Sequence, residues 1–592
     1  MGFAFWYTAV LLVLMTALLI MELFEADIIV FSALLLLMLG GVVNVEEAFR
    51  GFSNQGMLTI AFLFIVAGAI QKTGALNHAG EFLLGKGGNL SRRLIRFLFP
   101  VAGISGFFNN TPIVAILIPV VMKWCRKYDI SVSKVLIPLS YATILGGTCT
   151  LIGTSTNLVV HGLMLENGLK GFSLFEFSPI GVPIVILGVL WISLWGHKLL
   201  PDRIEPLHQV EEKPREFVVE MKVEKNYQHL GKTIEQAGLR HLKGLFLFQI
   251  ERHNQVIAPA NPDEKIMLFD RLFFTGLPET IMELQRIQGL SLLKDATFNL
   301  KNYDSDDFGV FEVVISRNSP LIGKSVRDSD FRSVYDAVIV AIHRSGERIR
   351  RKIGDIVMRT GDTMLIVARR SFIERWYHSR DFYLVSRSVE VPSKPRFYYF
   401  FSFTVLIAMI AVAAGRLAPI VTAASVAALI LIISRCITTR DARNSIEWHV
   451  LLIIASSFGI SKAIGNSGLS QFLAYQLIHT FGSLGILGLL AGVYFVTGFY
   501  TAIITNTAAA ALVFPITLAM TQQAGIDPRP FMIAITFAAS ASFATPISYQ
   551  TNLMVYGPGG YKFRDFLKIG IPMSIFIGIV TIALIYIIYF VL

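Results

Sequence analysis

Apolar runs of bilayer-spanning length constrain this sequence more than any other feature. They lie on both sides of a charged central region, five before it and five after it, near residues 4–22, 28–43, 57–71, 135–160, 178–199, 397–415, 417–435, 448–464, 531–555 and 568–592. A helix needs about 20 mostly apolar residues to cross a bilayer. Globular chains carry about 25% charged residues, whereas this chain has 54% hydrophobic and 16% charged residues. We therefore predict an all-α polytopic membrane protein.

Lysine and arginine are concentrated in alternate loops, and this asymmetry predicts the orientation. They cluster near 72–96, 123–134, 435–443 and 562–568, and cytoplasmic loops carry the excess of these residues. We expect the central insert in the cytosol and both termini outside, in the inner or plasma membrane. The same rule accounts for the formal net charge of +11, so the expected partner is the lipid bilayer and not a nucleic acid.

A polar dipeptide interrupts one apolar segment in each half. Asn110-Thr111 recurs as Asn506-Thr507, at an offset of 396 residues (506 − 110). An amide or hydroxyl group inside a membrane costs free energy unless a polar partner meets it. We predict a re-entrant hairpin near 92–124 and another near 485–523, each turning at its Asn-Thr pair. A single such pair often only joins neighbouring helices, but two at matched positions indicate one shared polar site.

Each hairpin is followed by a helix that small residues and proline interrupt. The interruptions lie within 146–157 and 541–552, where Gly and Pro break a helix and free backbone groups to bind ions. Five spans per half make the two halves, 1–200 and 396–592, enter the membrane with opposite orientations. The predicted fold is therefore an inverted repeat with re-entrant hairpins and broken helices.

The charged region between the halves contains a second repeat. Leu230-Gly231-Lys232-Thr233 returns 92 residues later (322 − 230) as Ile322-Gly323-Lys324-Ser325. The alternating apolar runs that follow each copy are typical of buried strands. We predict a cytosolic insert of two small α+β domains, one within 201–300 after a linker and one at 301–395.

The polar groups of the two turns suit ion binding. Asn offers a carbonyl oxygen to a cation and amide hydrogens to an anion, and a helix that begins at Thr111 presents free backbone N–H groups to an anion. The hairpin and broken helix of the second half contain no Asp or Glu at mid-span, which favours Na⁺ over H⁺ as the coupling ion. Because no nucleophile, metal cluster or carboxylate pair is apparent, we do not expect an enzyme.

Short motifs in both halves carry a family resemblance. These are Asn109-Asn110-Thr111, Thr505-Asn506-Thr507, Thr156-Asn157 and Thr551-Asn552. They resemble the divalent anion:sodium symporter family of the ion transporter superfamily, and the insert resembles a tandem pair of TrkA-C (RCK C-terminal) domains. The family motif in both hairpins is Ser-Asn-Thr, and this chain has Asn109 and Thr505 at the Ser positions.

The resemblance implies an elevator-type, homodimeric, sodium-coupled symporter with one Na⁺ at each hairpin tip. The first implied sodium site consists of Ser105, Asn109, Asn110, Gly147 and Thr148, and the second of Thr501, Thr505, Asn506 and Ala544. The implied substrate-binding residues are Asn110, Thr111, Asn506, Thr507, Thr545 and Pro546.

The imported substrate is expected to be a small divalent anion. Sulfate is preferred, because family members with TrkA-C inserts resemble the sulfate branch, and a dicarboxylate such as succinate or malate is the alternative. The cytosolic domains suggest regulation by a nucleotide-type ligand at Arg240, Arg252, Arg332 and Arg344, although such arginines also form ion pairs within a domain. A more distant alternative is a ligand-gated channel or a membrane sensor.

Overall fold

The computed structural model describes most of the chain. The described residues are 2–21, 24–73, 89–203, 218–239, 245–253, 255–257, 260–261, 263–276, 287–293, 308–316, 319–344, 347–349, 351, 353–369, 371–376, 379, 381–385, 395–415, 417–546 and 548–591. Two helical halves flank a region that contains two β-sheets.

The first half is built from helices. In chain order the described ones are α1 (Phe3–Met21), α2 (Ala26–Leu39), α3 (Val45–Phe49), α4 (Gln55–Thr73), α5 (Leu90–Ser105), α6 (Asn110–Lys127), α7 (Leu136–Gly147), α8 (Ser155–Glu166) and α9 (Ser178–Trp191). The last of these continues through a π-helical turn to Leu199.

The insert contains two sheets of the same topology. The first consists of β1 (Val218–Val223), β2 (Leu245–Arg252), β3 (Gln255–Ile257), β4 (Arg271–Gly276) and β5 (Leu290–Leu292). The second consists of β6 (Phe308–Ile315), β7 (Ala337–Arg344), β8 (Glu347–Arg348), β9 (Thr363–Arg369) and β10 (Phe382–Val385), with the short helices α10 (Phe331–Tyr335) and α11 (Ser371–Trp376).

Strand order confirms the repeat predicted for the insert. The first sheet has the order β3-β2-β4-β1-β5, and the second has β8-β7-β9-β6-β10, so each strand has its counterpart at the same place. Both sheets also shift register at one point, between Leu247 and Gln249 and between Ile339 and Ala341, which are 92 residues apart (339 − 247). The sheets pack separate apolar cores. The structure thus contains two related sheet domains, and their identity as TrkA-C domains stays a prediction.

The second half is also built from helices. Its described helices are α12 (Arg396–Ala414), α13 (Ile420–Ile433), α14 (Thr439–Ser445), α15 (Trp448–Asn466), α16 (Leu469–Phe481), α17 (Gly485–Ile503), α18 (Asn506–Ala524), α19 (Arg529–Ser540), α20 (Gln550–Tyr556) and α21 (Phe563–Tyr586). The helix α16 lies outside the predicted apolar runs, because Gln471, Gln476 and His479 interrupt its apolar sequence.

Six helical stretches of the described chain are long and apolar enough to cross a membrane. They are Val45–Thr73, Ser178–Leu199, Phe397–Ala414, Trp448–Asn466, Leu469–Ile503 and Phe563–Val591. Shorter apolar helices, among them α2 and α13, accompany them. These lengths and compositions fit a polytopic membrane protein.

The predicted hairpins are helix–turn–helix units. Asn110 is the first residue of α6 and Asn506 is the first residue of α18, so each Asn-Thr pair opens a helix. Pro119 and Pro515 each lie ten residues into that helix by inclusive count, where proline removes a backbone hydrogen bond. The depth of the turns in the bilayer stays a prediction.

Both predicted helix interruptions are present. In the first half, α7 ends at Gly147 and α8 begins at Ser155. In the second half, α19 ends at Ser540 and α20 begins at Gln550. A buried apolar cluster joins the halves around these breaks. Within it the hydroxyl of Tyr141 donates to the Phe543 carbonyl at 2.6 Å, so the second break packs directly against the first half.

Candidate functional site

The first hairpin turn is closed by a buried hydroxyl–amide contact. The hydroxyl oxygen of Ser105 lies 2.6 Å from Oδ1 of Asn110 and 2.9 Å from the carbonyl oxygen of Thr143 in α7. Ser105 and Asn110 are both fully buried. Since buried polar groups are costly when unmatched, these contacts hold the turn against α7.

The second hairpin turn repeats this arrangement. The hydroxyl oxygen of Thr501 lies 2.9 Å from Oδ1 of Asn506 and 2.8 Å from the carbonyl oxygen of Ala539 in α19. Each of these three residues follows its counterpart in the first hairpin by 396 positions (501 − 105, 506 − 110 and 539 − 143). The repeat therefore extends from the sequence to the hydrogen bonds.

Neutral groups surround both asparagine oxygens. In the first half, a Cβ atom added at Gly147 would lie 2.9 Å from Oδ1 of Asn110, so the main chain of Gly147 lies against this oxygen. In the second half, the hydroxyl of Ser542 lies 3.1 Å from Oδ1 of Asn506. Both oxygens thus have hydroxyl or main-chain neighbours, and none of these neighbours is charged.

Thr505 has an unsatisfied hydroxyl group at the second turn. It directly precedes α18, and its hydroxyl oxygen is buried without a hydrogen-bond partner in the described part of the chain. Buried hydroxyl groups nearly always have a partner. An oxygen-binding cation would satisfy Thr505, which fits the second predicted sodium site.

The remaining predicted sodium ligands have other neighbours. Asn109 lines a cavity of about 40 Å³ together with Thr154 and Ser155. The hydroxyl of Thr148 donates to the Leu145 carbonyl at 2.7 Å, so it is bonded within its own helix end. The main chain of Ala544 packs against α21, where a Cβ atom added at Gly570 would lie 2.7 Å from the Ala544 Cα. The structure therefore brings Ser105, Asn110 and Gly147 together more closely than the rest of the first set.

The predicted substrate residues lie at the turns and at the second break. Thr507 is buried in the first turn of α18. The hydroxyl of Thr545 accepts from the Ser548 amide at 3.1 Å, and its carbonyl accepts from Asn552 at 3.1 Å. Pro546 is also buried. These bonds fix the shape of the broken segment.

Tyr549 and Gln550, like Ser542, are site residues that were not predicted. The amide nitrogen of Asn110 donates to the Tyr549 hydroxyl oxygen at 2.6 Å. The hydroxyl of Thr111 donates to Oε1 of Gln550 at 3.1 Å. Both contacts join the first hairpin to the second broken helix. The sequence signal that could have identified Tyr549 and Gln550 is their position directly before Thr551-Asn552. Thr154-Ser155 occupy the equivalent position in the first half.

The predicted regulatory arginines are engaged within their own domains. The guanidinium of Arg252 binds Asp270 with two contacts of 2.9 Å, and that of Arg344 binds Asp362 with two contacts of 2.7 Å. The hydrogen bonds that the two guanidinium groups donate to these carboxylates raise the pKa of both arginines. Arg332 lies in α10, and Arg240 lies outside the described residues. The ion-pair alternative is therefore confirmed for Arg252 and Arg344, and these two residues lend no support to a nucleotide-type ligand.

Comparisons with known proteins relate the chain to transporters. The model of the citrate transporter family (CitMHS) matches residues 16–513 and 487–592. A Chlamydomonas reinhardtii protein with the provisional name sulfur deprivation response regulator is 37% identical, over 94% of this chain and 97% of its own. Sodium/sulfate cotransporter 1 of the same alga is 26% identical, over 92% of this chain and 85% of its own. An uncharacterized transporter of Escherichia coli K12 is 30% identical, over 92% of this chain and 93% of its own.

These matches identify the class of protein. The family description and two of these three relatives name transporters rather than enzymes. Together with the apolar helices, this makes the chain a multi-pass membrane transporter, and the predicted membership of the ion transporter superfamily is confirmed at that level. The chain belongs to the citrate transporter family (CitMHS).

Proposed function

We propose that this transporter is a sodium-coupled symporter that imports a small divalent anion, with sulfate as the substrate. The observation that carries the proposal is the repeated hydroxyl–amide contact, Ser105 with Asn110 and Thr501 with Asn506. The relative named sodium/sulfate cotransporter 1 supports both the coupling ion and the anion.

Each hairpin turn offers Na⁺ a set of neutral oxygens. Oδ1 of Asn110 and Oδ1 of Asn506 are the central ligands, and the neighbouring hydroxyl groups and freed main-chain carbonyls complete the sets. The unpartnered hydroxyl of Thr505 is a further ligand at the second site. Two Na⁺ ions bound in this way balance the charge of one dianion, which lowers the cost of moving it through a low-dielectric membrane.

The anion is proposed to bind in front of the same turns. The helices α6 and α18 have 18 and 19 residues, and each presents free N–H groups and a positive dipole end at its first turn. Thr111 and Thr507 add hydroxyl donors there. Tyr549 and Gln550 belong to this set because they already contact Asn110 and Thr111. Donors without a positive side chain suit a dianion whose charge the two Na⁺ ions offset.

The family description favours a second candidate, a carboxylate substrate such as citrate, succinate or malate. Carboxylate and sulfate oxygens accept the same hydrogen bonds, so the donor set serves either anion. The name of the sodium/sulfate relative favours sulfate.

The transport cycle is proposed to follow an elevator mechanism in a homodimer, in which the helices of the site move together across the bilayer. The insert is proposed to form two cytosolic TrkA-C domains with a regulatory role, with both termini outside. The family resemblance and the distribution of lysine and arginine support this arrangement.

Competition for uptake tests the substrate. Unlabelled sulfate should suppress the uptake of labelled sulfate. Succinate, malate or citrate at the same concentration should leave that uptake unchanged. If labelled citrate or succinate is taken up and unlabelled sulfate does not compete with it, the carboxylate candidate is correct and sulfate is wrong.

A further inference from the structure

The second sheet domain touches the end of the broken helix α20. A Cβ atom added at Gly557, directly after α20, would lie 2.1 Å from Oγ1 of Thr363 and 3.4 Å from its Cβ. A Cβ atom added at Gly361 would lie 3.1 Å from Cδ1 of Leu553 in α20. Non-bonded atoms do not approach to 2.1 Å, so glycine at 557 permits this contact. We call the edge formed by Gly361 and Thr363 the docking edge.

Other parts of the same domain reach the same region of the membrane half. Strand β10 contacts α6, the helix that begins at Asn110. Val314 of β6 is buried in the apolar cluster that also contains Met554 and Val555 of α20. The domain therefore meets both helices that carry the contacts of Asn110 with Tyr549 and of Thr111 with Gln550.

The first sheet domain has a different residue at the equivalent place. Phe269 precedes Gly361 by 92 positions (361 − 269) and has the same left-handed backbone, with φ of 68° against 80° for Gly361. Its side chain is 53% exposed, and the counterpart of Thr363 is Arg271, which binds Glu220 and Glu251. The same turn thus accepts a phenylalanine where it faces solvent and has a glycine where it meets α20.

The contact matters because α20 is short. It has seven residues, from Gln550 to Tyr556, and helices of this length have little stability of their own. Its first residue and the preceding Tyr549 contact the first hairpin, and its last turn contacts the docking edge. Support at one end therefore fixes the side chains at the other end.

We infer that the second sheet domain is a positioning element of the anion site, which acts by holding α20 through the docking edge. Gly361 and Thr363 are positioning residues, and Tyr549 and Gln550 are the residues that they position. The domain stays docked during transport, because its contacts are with α6 and α20, which belong to the same site. The inference rests on the proposed function, since its readout is the KM for sulfate.

A disulfide tests the contact without any transport assay. The distance of 3.4 Å between the Thr363 Cβ and a Cβ at position 557 is close to the span of about 3.5–4.5 Å in disulfides. In the full-length double variant Thr363→Cys/Gly557→Cys, mild oxidation should join the two residues, as seen by mass spectrometry of proteolytic peptides. The single variants are the controls. Failure of the pair to cross-link in membranes would overturn the docking.

Uptake then tests the consequence. Gly361→Phe, which copies the first domain, should separate the docking edge from Leu553 and displace α20. The KM for sulfate should then rise about fivefold, the effect of losing one of the two hydrogen bonds at the other end of this helix. The matched control Phe269→Gly in the first domain should leave the KM unchanged. The oxidised Thr363→Cys/Gly557→Cys protein should keep a KM within about twofold of the wild type, because the disulfide holds α20 against the docking edge in place of the native contact.

The outcomes separate this inference from the proposed function. If wild-type protein takes up no sulfate with Na⁺, the proposed function is wrong, and the cross-link still reports on docking. If the wild type transports but Gly361→Phe has the wild-type KM, the positioning role is wrong. If oxidation of the cysteine pair stops uptake, the domain has to undock during the cycle, which contradicts the inference.

Discussion

The side-chain amide nitrogen of Asn110 lies 2.6 Å from the hydroxyl oxygen of Tyr549, a residue 439 positions later in the chain. The adjacent pair, Thr111 and Gln550, makes a second contact of 3.1 Å. The first hairpin and the second broken helix therefore meet through side chains. A substitution at the start of the second broken helix therefore changes the contacts of the first hairpin turn directly.

Removing the Tyr549 hydroxyl should weaken anion binding. In Tyr549→Phe the amide of Asn110 loses its acceptor, and loss of one such hydrogen bond corresponds to a KM for sulfate raised about fivefold. The measurement is the initial rate of labelled sulfate uptake at varied sulfate and saturating Na⁺. Tyr7→Phe is the matched control, because the Tyr7 hydroxyl bonds the exposed Leu36 carbonyl far from the site. Equal KM values in all three proteins would exclude Tyr549 from the site.

Asn110 and Asn506 should each be indispensable for uptake. Asn110→Ala and Asn506→Ala each remove a proposed Na⁺ ligand oxygen together with a donor for the anion, so uptake should fall to the background of protein-free vesicles. Size-exclusion elution in detergent should remain that of the wild type. Asn167→Ala is the control, since its amide donates to the Leu163 carbonyl near the end of α8. Wild-type uptake by Asn110→Ala or Asn506→Ala would be incompatible with the proposed sites.

Substitution of Thr505 should weaken the binding of Na⁺ more than the binding of sulfate. Its buried hydroxyl has no partner in the described chain, so Thr505→Ala should raise the Na⁺ concentration for half-maximal uptake about fivefold, as for loss of one polar contact. Thr497→Ala is the control, because the buried Thr497 hydroxyl donates to the Val493 carbonyl at 2.7 Å within α17. A similar shift in both variants would mean that the effect arises from general packing.

An ion pair between the halves should contribute to stability. The guanidinium of Arg529 contacts Glu176 at 2.5 and 2.8 Å and the carbonyls of Lys170 and Gly171 at 3.0 and 3.1 Å. Loss of a hydrogen bond to a charged group costs about 1.5–3 kcal/mol, so Glu176→Gln should lower the unfolding temperature in detergent. Glu46→Gln, at an exposed position of α3, should not.

The same pair predicts a pH dependence. Burial raises the pKa of Glu176, but the contacts with Arg529 and with Ser173 together outweigh it and leave the pKa below its ordinary value of 4.5. A lowered carboxyl pKa stabilises the fold above that ordinary value, and the gain is lost as the pH falls through the lowered pKa. The difference in unfolding temperature between wild type and Glu176→Gln should therefore be full at neutral pH and shrink below about pH 4.5. A difference that stays constant down to about pH 3 would contradict this.

The features that could be predicted from the sequence are those that a short local stretch of residues determines. Asn110 and Asn506 stood out because each is a polar residue in an apolar segment, and both open a helix as expected. The repeat in the insert was equally readable, since matching strands follow matching apolar runs. In these cases the local pattern and the fold have the same cause, namely burial of apolar side chains.

Features that depend on contacts across the chain could not be read in this way. Nothing in the sequence around Tyr549 or Gln550 indicates that they meet the first hairpin, because the contact follows from how the two halves pack. The roles of Arg252 and Arg344 likewise depended on their distance from Asp270 and Asp362. Gly361 was indistinguishable from other turn glycines until its distance from Leu553 was known.

Sodium-driven accumulation of sulfate tests the central claim most directly. Purified protein in proteoliposomes should accumulate labelled sulfate when Na⁺ is high outside and K⁺ is inside, and accumulation should vanish when K⁺ replaces Na⁺ outside. Asn506→Ala vesicles should behave like protein-free vesicles under both conditions. Uptake of the same rate and extent with and without the Na⁺ gradient would contradict the account.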